Sequence, residues 1–226
     1  MRSELRSFGR RRGRKLSALQ DGLLRDLLPR LALDLKKPAP ADATQLFDAP
    51  VREVWLEIGF GGGEHLVWQA RANADVGLIG CEPFLDGVVK VLTQIDRDGL
   101  KTVRLHADDA RDVLRWLPDA SIARAFVLYP DPWPKRKHLK RRLVNGALLD
   151  GLARVMKPGG ELRVGTDIAD YARTMLMAFQ GEPRFRWTAE GPDDWRIRPS
   201  DWPQTRYEDK AVREGRRSCY LLFERV

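Results

Sequence analysis

A carboxylate held between two prolines is the most reactive arrangement in this chain. Pro130-Asp131-Pro132 leads into Trp133-Pro134 and then into six basic residues, Lys135, Arg136, Lys137, Lys140, Arg141 and Arg142. Each proline fixes its own φ and drives the residue before it out of the α region, so Asp131 is presented stiffly. Before it, Val127-Leu128-Tyr129 is an apolar run that suits the end of a buried strand. A fixed carboxylate can hold a cation or orient a polar ring, and the cations beside it attract phosphate. The same residues are also compatible with a plain proline-rich turn carrying solvated charges.

Other acids fall where a ligand could use them. Glu57 precedes Gly59-Phe60-Gly61-Gly62-Gly63, Glu82 follows a second apolar run, and Asp108-Asp109 and Asp167 end two more. Glycines between a strand and a helix let the backbone turn sharply and approach a ligand closely. The dinucleotide fingerprint wants another glycine where this chain has Glu64, so a pyrophosphate cradle fits poorly. Glu57 would repel a pyrophosphate and suits a positively charged cofactor instead. Glu82, about 20 residues after the loop, is placed to accept from a ribose, and Asp109 can hold the amino group of an adenine. A nicotinamide-dependent oxidoreductase is the alternative that the loop and Glu82 allow; Glu57 and the absent glycine count against it. A non-enzymatic RNA-binding protein would explain the basic patches but not five acids, Glu57, Glu82, Asp109, Asp131 and Asp167, at successive strand ends.

The elements that position these residues alternate. Strands are expected at 54–58, 76–81, 102–105, 122–129 and 161–166, with a last one at 219–223. Helices are expected at 64–71, 84–97, around Val113-Leu114-Trp116, at 143–156 ahead of the breaker Lys157-Pro158-Gly159-Gly160, and at 171–179. Strand and helix in alternation predict an α/β fold with a mostly parallel, doubly wound sheet and helices on both faces. Ligands of such sheets bind beyond the carboxyl ends of the strands, where the acids lie. Ahead of this unit, Ser17 with Gln20 reads as a capping box opening a leucine-striped helix through Leu31. Residues 36–50 read as a linker, and residues 184 onward as an irregular, Trp-rich tail. The expected division is 1–50 as a basic arm, helix and linker, and 51–226 as the main domain.

At 226 residues, 43% hydrophobic and 32% charged, the chain can bury a proper core. A net charge of +8 asks for a polyanionic partner. The excess sits in the N-terminal Arg2, Arg6, Arg10, Arg11, Arg12, Arg14 and Lys15, in the central cluster, and in Arg206, Lys210, Arg213, Arg216 and Arg217. Two cysteines, Cys81 and Cys219, form neither a disulfide framework nor a zinc site, which suits a reducing, cytoplasmic setting. No apolar run reaches the roughly 18 residues of a membrane helix, so no membrane partner is expected, and no metal.

Glu57-x-Gly59-x-Gly61-x-Gly63 resembles the loop by which class I methyltransferases, with their Rossmann-like fold, bind S-adenosyl-L-methionine, whose sulfonium is cationic. LEIGFGGGEHL, GCEPF, YPDPWPKRKHLKRR, GTD and TRYEDKAVREGR, in this order, narrow the resemblance to the tRNA (guanine-N(7)-)-methyltransferase family, over nearly the whole chain from Trp55. The basic arm is similar to those of bacterial members. The resemblance implies methyl transfer from S-adenosyl-L-methionine to a guanine N7 of tRNA, in the variable loop, with no metal. It implies Asp131 as catalytic residue and Glu57, Gly59, Gly61, Gly63, Glu82, Asp109 and Asp131 as cofactor-binding, the neighbouring Asp108 being the alternative to Asp109. It implies Lys135, Asp167, Thr205, Arg206, Tyr207 and Glu208 as substrate-binding. A monomer or homodimer without an obligate protein partner is expected. Trp133 is read as packing against the domain rather than stacking on the base, and His138 as part of the basic surface.

Overall fold

The computed structural model describes Arg11, Gly13 and residues 15–226; the other members of the expected basic arm, Arg2, Arg6, Arg10, Arg12 and Arg14, lie outside the described residues. Strands β1 (Glu53–Ile58), β2 (Val76–Cys81), β3 (Val103–His106), β4 (Ile122–Leu128), β5 (Met156–Thr166), β6 (Phe185–Trp187) and β7 (Cys219–Arg225) make one sheet in the order β3-β2-β1-β4-β5-β7-β6. The first five run parallel, and β7 lies antiparallel between β5 and β6. Chain order reverses between β1 and β4, so the crevice for a ligand opens beyond Ile58 and Leu128.

Alternation along β1 shows how both faces are filled. Val54, Leu56 and Ile58 pack in the cluster that holds Val113 and Leu114 of α5 (Ala110–Trp116), Leu149 and Leu152 of α6 (Gly146–Val155), and Met175 of α7 (Ala169–Gln180). Trp55, on the opposite face, joins Leu66 and Val67 of α3 (Glu64–Ala72) and Val88, Val91 and Leu92 of α4 (Leu85–Asp98). A sheet covered on both sides needs apolar strands throughout. Glu57 shares Trp55's face, and this directs its carboxylate at α3.

The N-terminal leucine stripe forms two helices rather than the expected single one. α1 (Ala18–Asp26) opens on the Ser17–Gln20 capping box, and Pro29, which has no N–H to donate, stands in the first turn of α2 (Leu28–Leu31) and interrupts the ladder. The stretch read as a linker is folded: Asp42 caps a 3₁₀ turn at Ala43–Leu46, and Ala43 and Phe47 are buried in the same cluster as Val54. A Cβ at Gly77 would lie 2.4 Å from the Phe47 ring. Asn145 caps α6 through its side chain, so that helix starts three residues later than expected. Lys157-Pro158-Gly159-Gly160 lies inside β5, absorbed by a register shift against β4 between Ile122 and Arg124.

The tail is ordered too. It holds β6, α8 (Asp193–Arg196) and α9 (Arg206–Arg213), with Trp202 fully buried against Gly165 of β5, Tyr220 of β7 and His65 of α3. Phe47→Ala should lower unfolding stability by about 3 kcal/mol, the low end for a large aromatic core side chain, read from urea midpoints. A change under about 0.5 kcal/mol would show that residues 36–50 are a linker after all.

Candidate active site

Beyond β1 the backbone is left-handed at Gly59, Gly61 and Gly63, with φ of 76°, 56° and 79°. Side chains rarely adopt that region, and at Gly63 a Cβ would also lie 2.0 Å from Val91. The turn so formed is clamped by Glu82 at the end of β2. Its Oε2 accepts from Gly61 N at 2.7 Å and its Oε1 from Phe84 N at 2.9 Å. Burial pushes the Glu82 carboxyl above its ordinary range; the two amide bonds oppose this, and the charges of Asp131 and Glu57 add to it.

Gly59 and Gly61 of the turn, Glu82, Asp109 and Asp131 line one cavity of about 570 Å³, with Ile58, Phe84 and Leu148 supplying apolar wall; Gly63, expected to bind the cofactor, lies outside this lining. Asp109 is the N-cap of α5, accepting from Arg111 N at 3.0 Å and from the Arg111 guanidinium at 2.9 and 2.6 Å. Asp108 is not in the lining; it holds Arg11 at 2.7 Å. Glu57 also stands outside this lining, buried beneath the loop with its Oε2 2.7 Å from His65 Nδ1. Gln69 donates to His65 Nε2 at 3.2 Å, which puts the imidazole proton on Nδ1, and to Asp201 O at 2.9 Å.

Asp131 projects at the mouth, from a backbone that is left-handed on both sides of it. Tyr129 has φ 51° and Trp133 φ 43°, a conformation that costs about 1–3 kcal/mol in a non-glycine residue. Tyr129 N donates to Gly165 O at 2.8 Å, and Arg142 Nε to Pro132 O at 2.9 Å. Arg142 is 3% exposed. Its other guanidinium nitrogens bond Asp170 and Thr174, and it lies 4.8 Å above the Tyr171 ring. In sequence Arg142 belongs to the phosphate-attracting cluster; its burial makes it the loop's anchor instead. Trp133 packs against Arg141 and His138 at the rim. Burial raises the Asp131 carboxyl above its ordinary range.

The residues expected to meet a substrate divide. Lys135, Arg136, Lys137 and Lys140 are exposed on the 3₁₀ turn after the loop. Tyr207 lines the cavity, near-parallel to Tyr129 at 6.3 Å. Arg206 pairs with Glu64 across the glycine turn. Asp167 is paired with Arg216 at 2.7 Å. Thr205 caps α9, and the buried Glu208 accepts from Tyr220 Oη at 2.6 Å with Arg198 at 3.2 Å. Thr205-x-x-Glu208 is itself a capping pattern, the local sequence signal of α9. Nothing local in the sequence marks His65 or the burial of Arg142; only the topology places them under the loop and behind Pro132. Among the described residues no group of His, Cys, Asp and Glu could hold a metal ion, and no helix is long and apolar enough to cross a membrane.

Asp131 and Glu57 add to the rise of the Glu82 carboxyl; acids around a partly apolar cavity favour a cationic ligand, and an exposed cationic turn a few residues away favours a polyanion. The sheet order and the glycine–acid turn define a class I methyltransferase, and solved methyltransferase structures superpose accordingly. The 16S rRNA methyltransferase KamB does so with a TM-score of 0.58 at 17% identity, covering 81% of this chain and 93% of that one. An antibiotic-related methyltransferase gives 0.55 at 17% identity, covering 78% and 89%. Residues 51–221 match a family model described as "Putative methyltransferase". The tRNA (guanine-N(7)-)-methyltransferase of Rhodospirillum rubrum is 52% identical over 98% of this chain and 88% of its own. That of Brucella melitensis biotype 1 is 50% identical over 100% and 97%. The chain belongs to the tRNA (guanine-N(7)-)-methyltransferase family.

The raised Asp131 carboxyl has a consequence for stability. A folded pKa above the unfolded one gives a contribution that is complete below the unfolded pKa and lost as pH rises through the folded one. Asp131→Asn, neutral throughout, should therefore gain stability over the parent as pH rises from about 4 to 7, with no gain at the acid end. Urea midpoints across that range would show it; a gain independent of pH would place the cause elsewhere.

Proposed function

We propose that the chain transfers the methyl group of S-adenosyl-L-methionine to N7 of a guanine in tRNA, the variable-loop guanine, forming 7-methylguanosine. One observation supports this most: Asp131 shares a cavity with Glu82 and Asp109, and the exposed cations of Lys135, Arg136, Lys137 and Lys140 begin four residues on, Lys140 itself reaching that cavity. The cavity's chemistry fits the donor. Glu82 uses one lone pair of each oxygen on Gly61 and Phe84, leaving others for the hydroxyls of a ribose. Asp109 lines the same cavity and can accept from the amino group of an adenine, and a Cβ at Gly59 would meet nothing within 4 Å, so the turn's backbone is open to a ligand. Glu57 acts from beneath, held by His65 and adding its charge to the pocket.

S-adenosyl-L-methionine supplies an electrophilic methyl on a cationic sulfur. Guanine N7 has a free lone pair, so no residue need remove a proton before transfer. The chain's work is then positioning and charge stabilisation. Asp131 accepts from guanine N1–H and N2–H, and its negative charge favours the positive charge that the ring acquires. Tyr207 and Arg206 face the RNA, while Thr205 and Glu208 set the helix that carries them. Asp167, through Arg216, orders the adjoining tail. The lysines and Arg136 hold phosphates and contribute affinity more than base selection. In this reading residues 1–50 are an arm and extension, and residues 51–226 the methyltransferase domain. The protein works in the cytoplasm as a monomer or homodimer without an obligate protein partner.

The test is a reaction of methyl-labelled S-adenosyl-L-methionine with an unmodified tRNA transcript, followed by nucleoside analysis. Label should appear in 7-methylguanosine alone, and label in any other nucleoside would overturn the reading. In the same assay Lys135, Lys137 and Lys140, all reversed to Glu, should weaken tRNA binding and reduce its logarithmic salt slope by about 2–3. An unchanged slope would remove the cluster from the interface.

A further inference from the structure

The glycine turn is gripped from two sides. From below, Glu82 holds Gly61 N, and α4 comes so close that a Cβ at Gly87 would lie 2.1 Å from Gly61 O. From above, α9 lies on the turn. A Cβ at Gly61 would come 2.9 Å from Tyr207 Oη, and one at Gly62 only 1.3 Å from Arg206 Nη2. Gly62, unlike its neighbours Gly61 and Gly63, does not have positive φ. Its backbone would tolerate a side chain, and it is the Arg206 guanidinium that leaves no room for one. That guanidinium is held by the first residue of α3: Arg206 Nε lies 2.7 Å from Glu64 Oε1, and Nη2 donates to Oε2 at 3.3 Å. Further along α9, Lys210 and Arg213 are exposed.

We propose that Glu64 and Gly62 form a latch that holds Arg206 over the donor loop, so that donor and tRNA binding strengthen each other. Glu64 and Gly62 are then positioning residues. The inference rests on reading the cavity as the donor site and the basic surface as the tRNA site. Ligand hydroxyls on Glu82 stiffen the carboxylate that clamps Gly61. A fixed turn keeps Glu64 and Gly62 in place, and through them Arg206, Tyr207 and the cations of α9. Coupling between two binding events is reciprocal, so tRNA must tighten the donor site by the factor by which the donor tightens tRNA. The two side chains are 40% and 37% exposed, and a partly exposed ion pair supports a factor of only about two to five.

The experiment titrates the full chain with S-adenosylhomocysteine, which carries no methyl to transfer, with and without an unmodified tRNA transcript. The parent should bind it about two- to fivefold more tightly with tRNA present. Glu64→Gln removes the charge on α3, and Gly62→Ala makes the flexible end of Arg206 swing aside. Both should bring the ratio to about one while the affinity without tRNA stays within about twofold. A parent ratio of one, or a full ratio kept in either variant, overturns the latch. Failure of the parent to bind S-adenosylhomocysteine at all would overturn the donor-site reading instead.

Discussion

The backbone either side of Asp131 is held in a conformation that neither Tyr129 nor Trp133 would choose. Left-handed φ at two large aromatic residues costs about 1–3 kcal/mol apiece, and four restraints oppose the relaxation. Tyr129 donates its amide to β5 and its hydroxyl to Ser218, Trp133 stacks with Arg141, and Arg142 bonds the Pro132 carbonyl from behind. Two prolines remove much of the remaining freedom. The outcome is a carboxylate that stays at the cavity mouth although its surroundings disfavour its charge. Such a group loses little by meeting a cation, and has little room to move away from one.

Opposite charges stand close together around this cavity. On one side Glu82, Asp109 and Asp131 share a cavity, and the first two are tied to amides or to a guanidinium. On the other, the 3₁₀ turn at Arg136–Arg141 spreads Arg136 and Lys137 into solvent, while Lys140 and Arg141 reach the cavity lining. Arg142 belongs to neither group. Its burial, with Asp170, Thr174 and Pro132 as partners, takes one charge from the basic surface and uses it as scaffold. The buried set Glu57–His65–Gln69, reaching the Asp201 carbonyl, does comparable work on the other face, tying the glycine turn to the tail that carries Tyr207.

Much of this was legible in the sequence, and what was missed has physical reasons. The parallel strands and their terminal acids were readable because buried strands are apolar runs ended by polar residues. The glycines at 59, 61 and 63 were readable because the dihedrals they adopt exclude other residues. The break at Pro29 was visible as a residue, but a continuous leucine stripe outweighed it. Residues 36–50 are polar and proline-rich on average, and the burial of Phe47 depends on the gap left at Gly77, a long-range fact. α9 buries only Glu208 and Ala211, so it has no apolar periodicity to detect; its capping pattern was the one local signal. Arg142 looks like its five basic neighbours in sequence, and only the packing of α7 behind the loop separates it from them.

The central claim is that a rigidly held Asp131 contributes more to transfer itself than to binding of either substrate. Single-turnover methyl transfer by Asp131→Asn, with donor and tRNA affinities measured separately, tests it most directly. Both affinities should stay within about tenfold of the parent, while the transfer rate falls by about 10²–10³, as for loss of one preorganised electrostatic contact to the transition state. A transfer rate near that of the parent, or a loss confined to the affinities, would contradict it.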